Sequence, residues 1–177
     1  MNFDDFILKF KVGILRLRNH FGKINSSLTI DSYSRINNAI LIFFPIDEKY
    51  CRIASYSFKT LNELQDKGVE IHICLSDNLK KLIESINCDK FTYLKNGNNI
   101  IKLNKSIDNL KKYDMIIDLN PTTNIAISEI IKNITATYKI GFKSNISDTF
   151  YNIQLDLSNN KFLETSYGQI KNILKIS

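Results

Sequence analysis

The sequence predicts an α/β fold in which one mainly parallel sheet carries helices on both faces. The first observation is a pair of short, mainly apolar runs, AILIFFP at residues 39–45 and MIIDL at residues 115–119, each of which leads into a polar turn. Runs of this kind are typical of central strands that are buried on both faces. The second observation is that predicted strands alternate with amphipathic helices along most of the 177 residues. This alternation indicates a single doubly wound, Rossmann-like sheet.

The individual elements follow from the spacing of apolar residues, which run together or alternate in strands and recur every three or four residues in helices. The predicted strands are 39–45, 69–75, 91–94, 100–103, 115–119, 136–142 and 150–157. The predicted helices are 48–67, 77–86, 106–112, 123–133 and 161–175. Asp47, Ser76 and either Thr122 or Thr123 are predicted to cap helices, and Gly68 is predicted to end the first. We expect strands 39–45 and 115–119 to lie side by side in the middle of the sheet.

A basic amphipathic helix is predicted ahead of the sheet, over residues 3–24. Its apolar residues repeat with alternating spacings of four and three, and its opposite side carries Lys and Arg. The chain thus divides into this helix with a polar connection, 1–37, and an α/β domain, 38–177. Such a helix either docks on protein, whether its own domain, a second copy or a partner, or lies on an anionic membrane surface. The sequence favours docking on protein and leaves both interpretations open.

The composition argues against several classes of protein. Lys and Arg exceed Asp and Glu by 24 to 18, a net charge of +6 that is spread along the chain, so no nucleic-acid partner is expected. Cys51, Cys74 and Cys88 have no zinc-binding spacing, so we expect reduced, mostly buried thiols and no metal site. No apolar run is long enough to cross a bilayer, and the N-terminus lacks a signal-peptide pattern. We expect a cytoplasmic protein, with peripheral attachment at the inner membrane as the alternative.

The candidate binding site lies where the two central strands end, since ligands of open α/β sheets bind at the carboxyl ends of the strands. Asp118, Asn120, Thr122 and Thr123 belong to the end of strand 115–119 and its turn, and Asp47 and Glu48 follow strand 39–45. We expect Asp47, Asn120 and Thr122 to surround one crevice. Asp118 is expected to be structural first, held by backbone amides or a basic partner, so that Asp118→Asn lowers stability.

Three further observations bear on this site. Gly141, inside strand 136–142, indicates a tight bend or a close approach of the backbone. The loop PIDEKY, residues 45–50, has no glycine, which excludes a dinucleotide fingerprint and a P-loop, and no cofactor is expected. His72 has no acidic or cysteine neighbour at a useful spacing, so we interpret it as a structural side chain.

The order and wording of several segments resemble a known family. The segments are NAILIFFPIDEKYCRIASYSFKTLNEL, then KKYDMIIDLN, a helix, TYKIGFKSNISDTFYN, a strand and a terminal helix. They resemble the amino-terminal, acceptor-side half of the bacterial family 9 glycosyltransferases, the heptosyltransferases of lipopolysaccharide synthesis in the cell envelope. The similarity covers about residues 38–175. The same layout is also similar to small bacterial α/β domains of unknown function.

The resemblance implies a transferase fold. This chain differs from the family at two points. Family members carry Gly-Asp in the first strand-to-helix loop, where the Asp is the expected general base, and Lys49 and Tyr50 align there. Asp47 and Glu48 lie close by and are the candidate catalytic residues. The family also has a second domain that binds the nucleotide-sugar, so this chain is expected to be non-catalytic alone or to depend on a partner. The alternative is a small α/β binding or interaction module.

Overall fold

The computed structural model describes residues 39–97, 100–103, 112–157 and 162–177, and the predictions for residues 3–24, 26–38 and 106–111 fall outside them. The strands are β1 (Ala39–Phe43), β2 (Glu70–Ser76), β3 (Lys90–Gly97), β4 (Ile100–Leu103), β5 (Tyr113–Asp118), β6 (Ala136–Phe142) and β7 (Ile153–Leu155). In the part of the chain described, these seven form one sheet in the order β4-β3-β2-β1-β5-β6-β7. Every neighbouring pair is parallel except β3 with β4, which confirms the predicted, mainly parallel fold.

The two central strands are β1 and β5, as predicted. Ile40 pairs with Met115 and Phe43 pairs with Asp118. All five residues of β1 are buried, because β2 and β5 flank it in the sheet and helices cover both faces. Since β1 and β5 run parallel, the loops that follow them emerge at the same end of the sheet, which we call the carboxyl edge.

Helices cover both faces of the sheet, so the domain is doubly wound. They are α1 (Glu48–Ser57), α2 (Asn62–Gln65), α3 (Ile125–Asn133) and α4 (Leu163–Leu174), with 3-10 helices at Asp77–Ile83 and Ser147–Thr149. Ala54 of α1 and Tyr167 of α4 belong to the apolar core on one face. Ile127 and Ile131 of α3 belong to the core on the other.

The predicted helix over 48–67 is wrong in its middle, where the chain turns between α1 and α2. The hydrogen bond from the Leu61 N–H to the Phe58 carbonyl, at 3.2 Å, spans three residues instead of four. The Thr60 hydroxyl donates to the Ser177 carbonyl at 2.6 Å, so this turn is also held by a contact with the C-terminal residue of the chain described. Ser, Phe and Thr, which fill residues 57, 58 and 60, are also weak helix formers. Gly68 ends the segment as predicted, with a φ of 80° that suits glycine.

The predicted α-helix over 77–86 is also wrong, since residues Asp77–Ile83 form a 3-10 helix. Ser76 occupies the N-cap position without capping it, and its hydroxyl donates to the Asn78 side-chain oxygen at 2.5 Å. The Ser76 hydroxyl therefore contacts a side chain, and no capping bond to the first-turn N–H groups is formed. Leu79 and Ile83 are nevertheless buried against the sheet, so the apolar spacing identified the correct face.

Two strand boundaries differ from the prediction. β3 runs on to Gly97 because residues 94–97 pair antiparallel with β4, which draws polar residues expected in a loop into the strand. At the other edge, β7 begins only at Ile153. Before it, Asn152 contacts β6 through both backbone and side chain. Its N–H donates to the Lys139 carbonyl at 3.0 Å, its side-chain oxygen accepts from the Lys139 N–H at 2.7 Å, and its side-chain amide donates to the Thr137 carbonyl at 2.9 Å. Side-chain hydrogen bonds therefore take part of the pairing expected of the predicted strand.

Candidate functional site

The loops that follow β1 and β5 are joined directly at the carboxyl edge. The Leu119 N–H donates to the Phe43 carbonyl at 3.0 Å, and the Ile46 N–H donates to the Asn120 side-chain oxygen at 3.0 Å. Asn120 is buried, while Asp47 and Thr122 in the same two loops are exposed. The expected neighbourhood of these two loops is therefore present, and their role in binding stays a prediction.

The two candidate catalytic carboxylates are both engaged in local contacts on α1. Asp47 is the N-cap, and its Oδ1 accepts from the Tyr50 N–H at 3.2 Å. Glu48 accepts two hydrogen bonds from Arg52, at 2.5 Å and 3.2 Å. Capping by Asp47 was predicted, because a short carboxylate before a helix satisfies the free N–H groups of the first turn. Both carboxylates therefore have partners in the first turns of α1.

Asp118 is the most deeply buried charged side chain at the carboxyl edge, with 2% of its surface exposed. Its Oδ1 accepts from the Asn120 backbone N–H at 3.0 Å and from the Asn120 side-chain amide at 2.6 Å. Its Oδ2 accepts from the Tyr151 hydroxyl at 2.5 Å. The predicted backbone amide is thus present, but the other partners that we find among the described residues are neutral, and none is basic.

Burial raises the pKa of the Asp118 carboxyl group, and the hydrogen bonds from Tyr151 and Asn120 partly oppose that rise. Burial also raises the pKa of the Tyr151 hydroxyl, and the neighbouring Asp118 charge adds to the effect. Burial also raises the pKa of Tyr167, whose hydroxyl donates to the Leu119 carbonyl at 2.7 Å. Asp118 is buried and both of its oxygens accept hydrogen bonds from neighbouring protein groups, and this favours a supporting role over one as a base.

Gly141 provides the space for Tyr151. A Cβ at this position would lie 2.6 Å from two atoms of the Tyr151 ring. The close approach predicted at Gly141 is therefore present, and the partner is an aromatic side chain on the α3 face of the sheet. Tyr151 is 3% exposed, so the ring fills this contact and leaves no opening for a ligand at Gly141 itself.

The prediction that Thr122 or Thr123 caps α3 is wrong, because the helix begins later, at Ile125. Asn124 is the N-cap, and its side-chain oxygen accepts from the Ile127 N–H at 3.2 Å. The cap must directly precede the first helical residue to reach these amides, so both threonines lie too early. Neither threonine makes the capping contact. Thr122 is exposed and Thr123 is half-buried at the carboxyl edge.

Sequence reasoning missed Tyr151 and the acidic partner of His72. Tyr151 was assigned to a strand, and its role at the site was not predicted. The only indication in the sequence was Gly141, which lacks a side chain and so leaves room for a neighbouring group. The His72 prediction is wrong about its neighbours: Nε2 lies 2.5 Å from Glu70 Oε1, and Nδ1 lies 2.8 Å from the Tyr113 hydroxyl. The period of two in a strand places residues 70 and 72 on one face, which would have shown the pair.

The cysteines match the prediction of free thiols, two of them buried. Burial raises the pKa of Cys51 to about 11 and that of Cys88 to about 12, so these thiols are poor nucleophiles at neutral pH. Among the described residues, no group of three or more His, Cys, Asp or Glu side chains could hold a metal ion. Within the same residues, every helix is too short or too polar to cross a membrane.

The fold and the joined loops define a doubly wound α/β domain of the Rossmann-like class. No family model and no curated protein matches the chain. Two solved structures are similar over 78% of the chain: a family 9 glycosyl transferase from Veillonella parvula, at 14% identity and a TM-score of 0.57, and the E. coli heptosyltransferase WaaC with ADP, at 9% identity and a TM-score of 0.55. The chain spans 41% and 48% of their lengths, less than half of each. The resemblance found in the sequence is thus confirmed as a likeness of fold.

Proposed function

We propose that this chain acts as the acceptor-side half of a family 9 type of glycosyltransferase and binds a saccharide at the carboxyl edge of β1 and β5. The observation that carries the proposal is the hydrogen bond from the Ile46 N–H to the Asn120 oxygen, which fixes two loops side by side where such sheets bind ligands. Thr122 and Asp47 in these loops are exposed and offer a hydroxyl and a carboxylate to sugar hydroxyl groups.

We propose further that the chain transfers no sugar without a second domain or partner that binds the nucleotide-sugar. Asp47 caps α1 and Glu48 pairs with Arg52, so both candidate bases are held in contacts along the helix. Asp118 is 2% exposed and its oxygens accept from Asn120 and Tyr151, so it is not placed to contact an acceptor hydroxyl. Binding without turnover is the behaviour that these contacts support.

The binding test is an NMR titration of the full chain with a delipidated lipopolysaccharide oligosaccharide. We expect the amide signals of Asn120 and Thr122 to shift, and Thr122→Ala to weaken binding roughly three- to tenfold, the value of one hydrogen bond. Thr137→Ala is the matched control, because Thr137 is exposed at the opposite end of β6. If the oligosaccharide shifts no signal at the carboxyl edge, the proposed function is wrong.

The turnover test uses an ADP-linked heptose as donor with the same oligosaccharide. The chain alone should form no product above the blank, whereas a supplied nucleotide-sugar-binding domain should allow transfer once its docking frees Asp47 or Glu48 from their contacts on α1. Transfer by the chain alone that Asp47→Asn abolishes would contradict the second part of the proposal and make Asp47 the base.

An interaction module at an anionic membrane surface is the second candidate, and one observation favours it. Tyr56 on α1 is 73% exposed, and the ammonium group of Lys59 lies 5.0 Å from its ring centre. An exposed ring beside a cation suits the headgroup region of anionic lipids. Tyr56→Ser should then reduce sedimentation with anionic vesicles, while Phe162→Ser, at a second exposed aromatic residue in the part of the chain described, should not. Equal losses, or equal binding to neutral vesicles, would count against this candidate.

A further inference from the structure

Buried polar groups at the carboxyl edge form one continuous chain of hydrogen bonds, which we call the Asp118 relay. The Ser128 hydroxyl on α3 lies 3.4 Å from the Tyr151 hydroxyl, which donates to Asp118 at 2.5 Å. Asp118 accepts from the Asn120 amide at 2.6 Å, and Asn120 accepts from the Ile46 N–H at 3.0 Å. All four side chains are buried. The relay therefore links helix α3 to the backbone of the loop after β1.

Asp118 dictates which way the Asn120 side chain faces. An asparagine amide has one accepting oxygen and one donating nitrogen, whereas an ionised carboxylate only accepts. The Asn120 nitrogen must therefore face Asp118, and its oxygen is left to accept from Ile46. If the carboxylate were replaced by an apolar group, the buried Asn120 amide would lose this constraint and the Ile46 N–H could lose its partner.

Tyr151 in turn holds the second oxygen of Asp118. Its ring lies against Gly141, where a Cβ would lie 2.6 Å from it, so the ring has little room to shift. The bond to Asp118 involves a carboxylate in a buried setting, where hydrogen bonds to charged groups are strong. The hydroxyl is thus a fixed anchor for the carboxylate, and through it for Asn120.

We infer that Asp118 and Tyr151 are positioning residues that set the loop after β1, residues 44–47, relative to the loop after β5. The inference rests on the proposed function only in naming these loops as the binding site. Its structural part is independent, because it states that removing a hydroxyl on one face of the sheet loosens one particular backbone amide, Ile46, at the carboxyl edge.

A purely structural role for these residues makes a different prediction. In that case Tyr151→Phe would lower global stability, and all protected amides would exchange faster by the same factor. The relay instead predicts local opening. The Phe44 N–H is the internal reference, because it lies two residues away in the same segment and donates to the Cys74 carbonyl at 2.8 Å, outside the relay.

The test is amide hydrogen exchange on the full chain, followed by NMR. In Tyr151→Phe we expect Ile46 to exchange roughly three- to tenfold faster relative to Phe44, the value of one hydrogen bond. Tyr167→Phe is the matched control: it removes another buried tyrosine hydroxyl bonded to this strand end, at Leu119, yet leaves the relay intact. In that variant Ile46 and Phe44 should keep their ratio.

A conservative rescue separates acceptor loss from a packing defect. Asp118→Asn keeps an oxygen that can accept from Asn120 and should retain the protection of Ile46, whereas Asp118→Leu, of similar size, should lose it. Equal acceleration of Ile46 and Phe44 in Tyr151→Phe would overturn the relay. So would local opening at Ile46 in Tyr167→Phe.

The same samples distinguish failure of the relay from failure of the proposed function. Titration with the delipidated oligosaccharide should show weaker binding in Tyr151→Phe, in step with the loss of protection at Ile46. If the unmodified chain does not bind the oligosaccharide, the proposed function fails while the exchange ratio still decides the relay. If the chain binds and Tyr151→Phe binds equally well despite an open Ile46, the positioning role is wrong.

Discussion

At the scale of the residue, the carboxyl group of Asp118 is subject to two opposing effects. The hydrogen bonds from Asn120 and Tyr151 favour the charged form, whereas burial favours the neutral form. Burial is the larger effect, so the pKa of Asp118 in the folded state lies above its value in the unfolded chain, which is about 4. The folded state then keeps a proton that the unfolded state releases, and stability falls as the pH rises between these two pKa values.

This sign gives a prediction for Asp118→Asn that is sharper than the loss of stability expected from the sequence. An asparagine cannot ionise, so the stability of the variant does not change with pH through this residue. One N–H of its amide is also left without an acceptor. Its free energy of unfolding should be lower than that of the unmodified chain by about 1–3 kcal/mol in acid. The difference should shrink as the pH rises through the window above about 4. Urea unfolding of both proteins between pH 4 and 8 measures it.

Parallel pH curves for the two proteins would show that the pKa of Asp118 is the same in both states. A difference that grows with pH would show that the three hydrogen bonds outweigh burial. Either result would contradict the assignment of burial as the larger effect.

Gly141 gives a second prediction at this scale. Gly141→Ala places a Cβ against the Tyr151 ring, which the bond to Asp118 holds in place, so we expect a loss of about 1–3 kcal/mol from overpacking. Gly168→Ala is the matched control: Gly168 lies inside α4 with no atom within 4 Å of the added Cβ, and alanine should gain up to about 1 kcal/mol there. Thermal or urea unfolding compares the two. A neutral Gly141→Ala would show that the ring can move.

Individual residues were predictable where a local pattern determines their environment. Asp118 ends an apolar strand, so burial and an amide partner follow from its position alone. Its contact with Tyr151 was not predictable, because it depends on how the chain returns to the sheet 33 residues later. Such a contact is set by tertiary packing, which periodicity does not report.

At the scale of the element, helix α3 is fixed at both ends by side chains. Asn124 accepts from the Ile127 N–H at its start, and the Lys139 ammonium group donates to the Ile131 carbonyl at 2.8 Å near its end. A cation near the last carbonyls is favourable, because it opposes the partial negative charge of the helix end. Burial lowers the pKa of Lys139, so the contact carries a desolvation cost as well. A nine-residue helix gains its position from these contacts more than from its own propensity.

The corrected N-cap of α3 is directly testable. Asn124→Ala should lower the free energy of unfolding by about 1 kcal/mol, because the Ile127 N–H loses its acceptor. Thr123→Ala, at the position expected from the sequence, should change it by less than about 0.5 kcal/mol, as is usual away from such contacts. Urea unfolding of both variants gives the comparison. A larger effect at Thr123 than at Asn124 would restore the earlier assignment.

Helices and strands were predictable where a local pattern of apolar residues determines them. The apolar runs of β1 and β5 gave their existence, their burial and their adjacency. The break between α1 and α2 was not predictable, since the apolar spacing continues across it and the Thr60 hydroxyl bonds to Ser177, 117 residues away. The same limit applies to β7, where the Asn152 side chain takes pairing positions that the pattern assigned to a strand.

At the scale of the whole molecule, the adjacency of the loops after β1 and β5 could be predicted, but the chemical groups available there could not. Strand order puts the loops after β1 and β5 at one edge, and this follows from two buried parallel strands. Which carboxylate is available there depends on contacts such as the Glu48–Arg52 pair, which no strand pattern contains. The likeness to the two glycosyltransferase structures extends over less than half of each, so it describes one fold and leaves the reaction to experiment.

Residues 3–24 lie outside the described residues, so what is expected of them rests on the sequence pattern alone. Their apolar stripe would expose several large side chains if it were left uncovered, and patches of that kind usually mark an interface. We therefore expect deletion of residues 1–24 to promote aggregation or to change the mass in solution. Sedimentation velocity and thermal unfolding of the full and truncated chains measure this.

Vesicle sedimentation decides between the two ways of covering that stripe. On a membrane, each Lys or Arg near an anionic surface can add about 1 kcal/mol of attraction, and salt should screen it. If the truncated chain keeps its mass and stability while the full chain sediments with anionic vesicles in a salt-sensitive way, the helix lies on the membrane. If truncation changes the mass in solution and the full chain does not sediment with the vesicles, the segment docks on protein, the interpretation that the sequence favours.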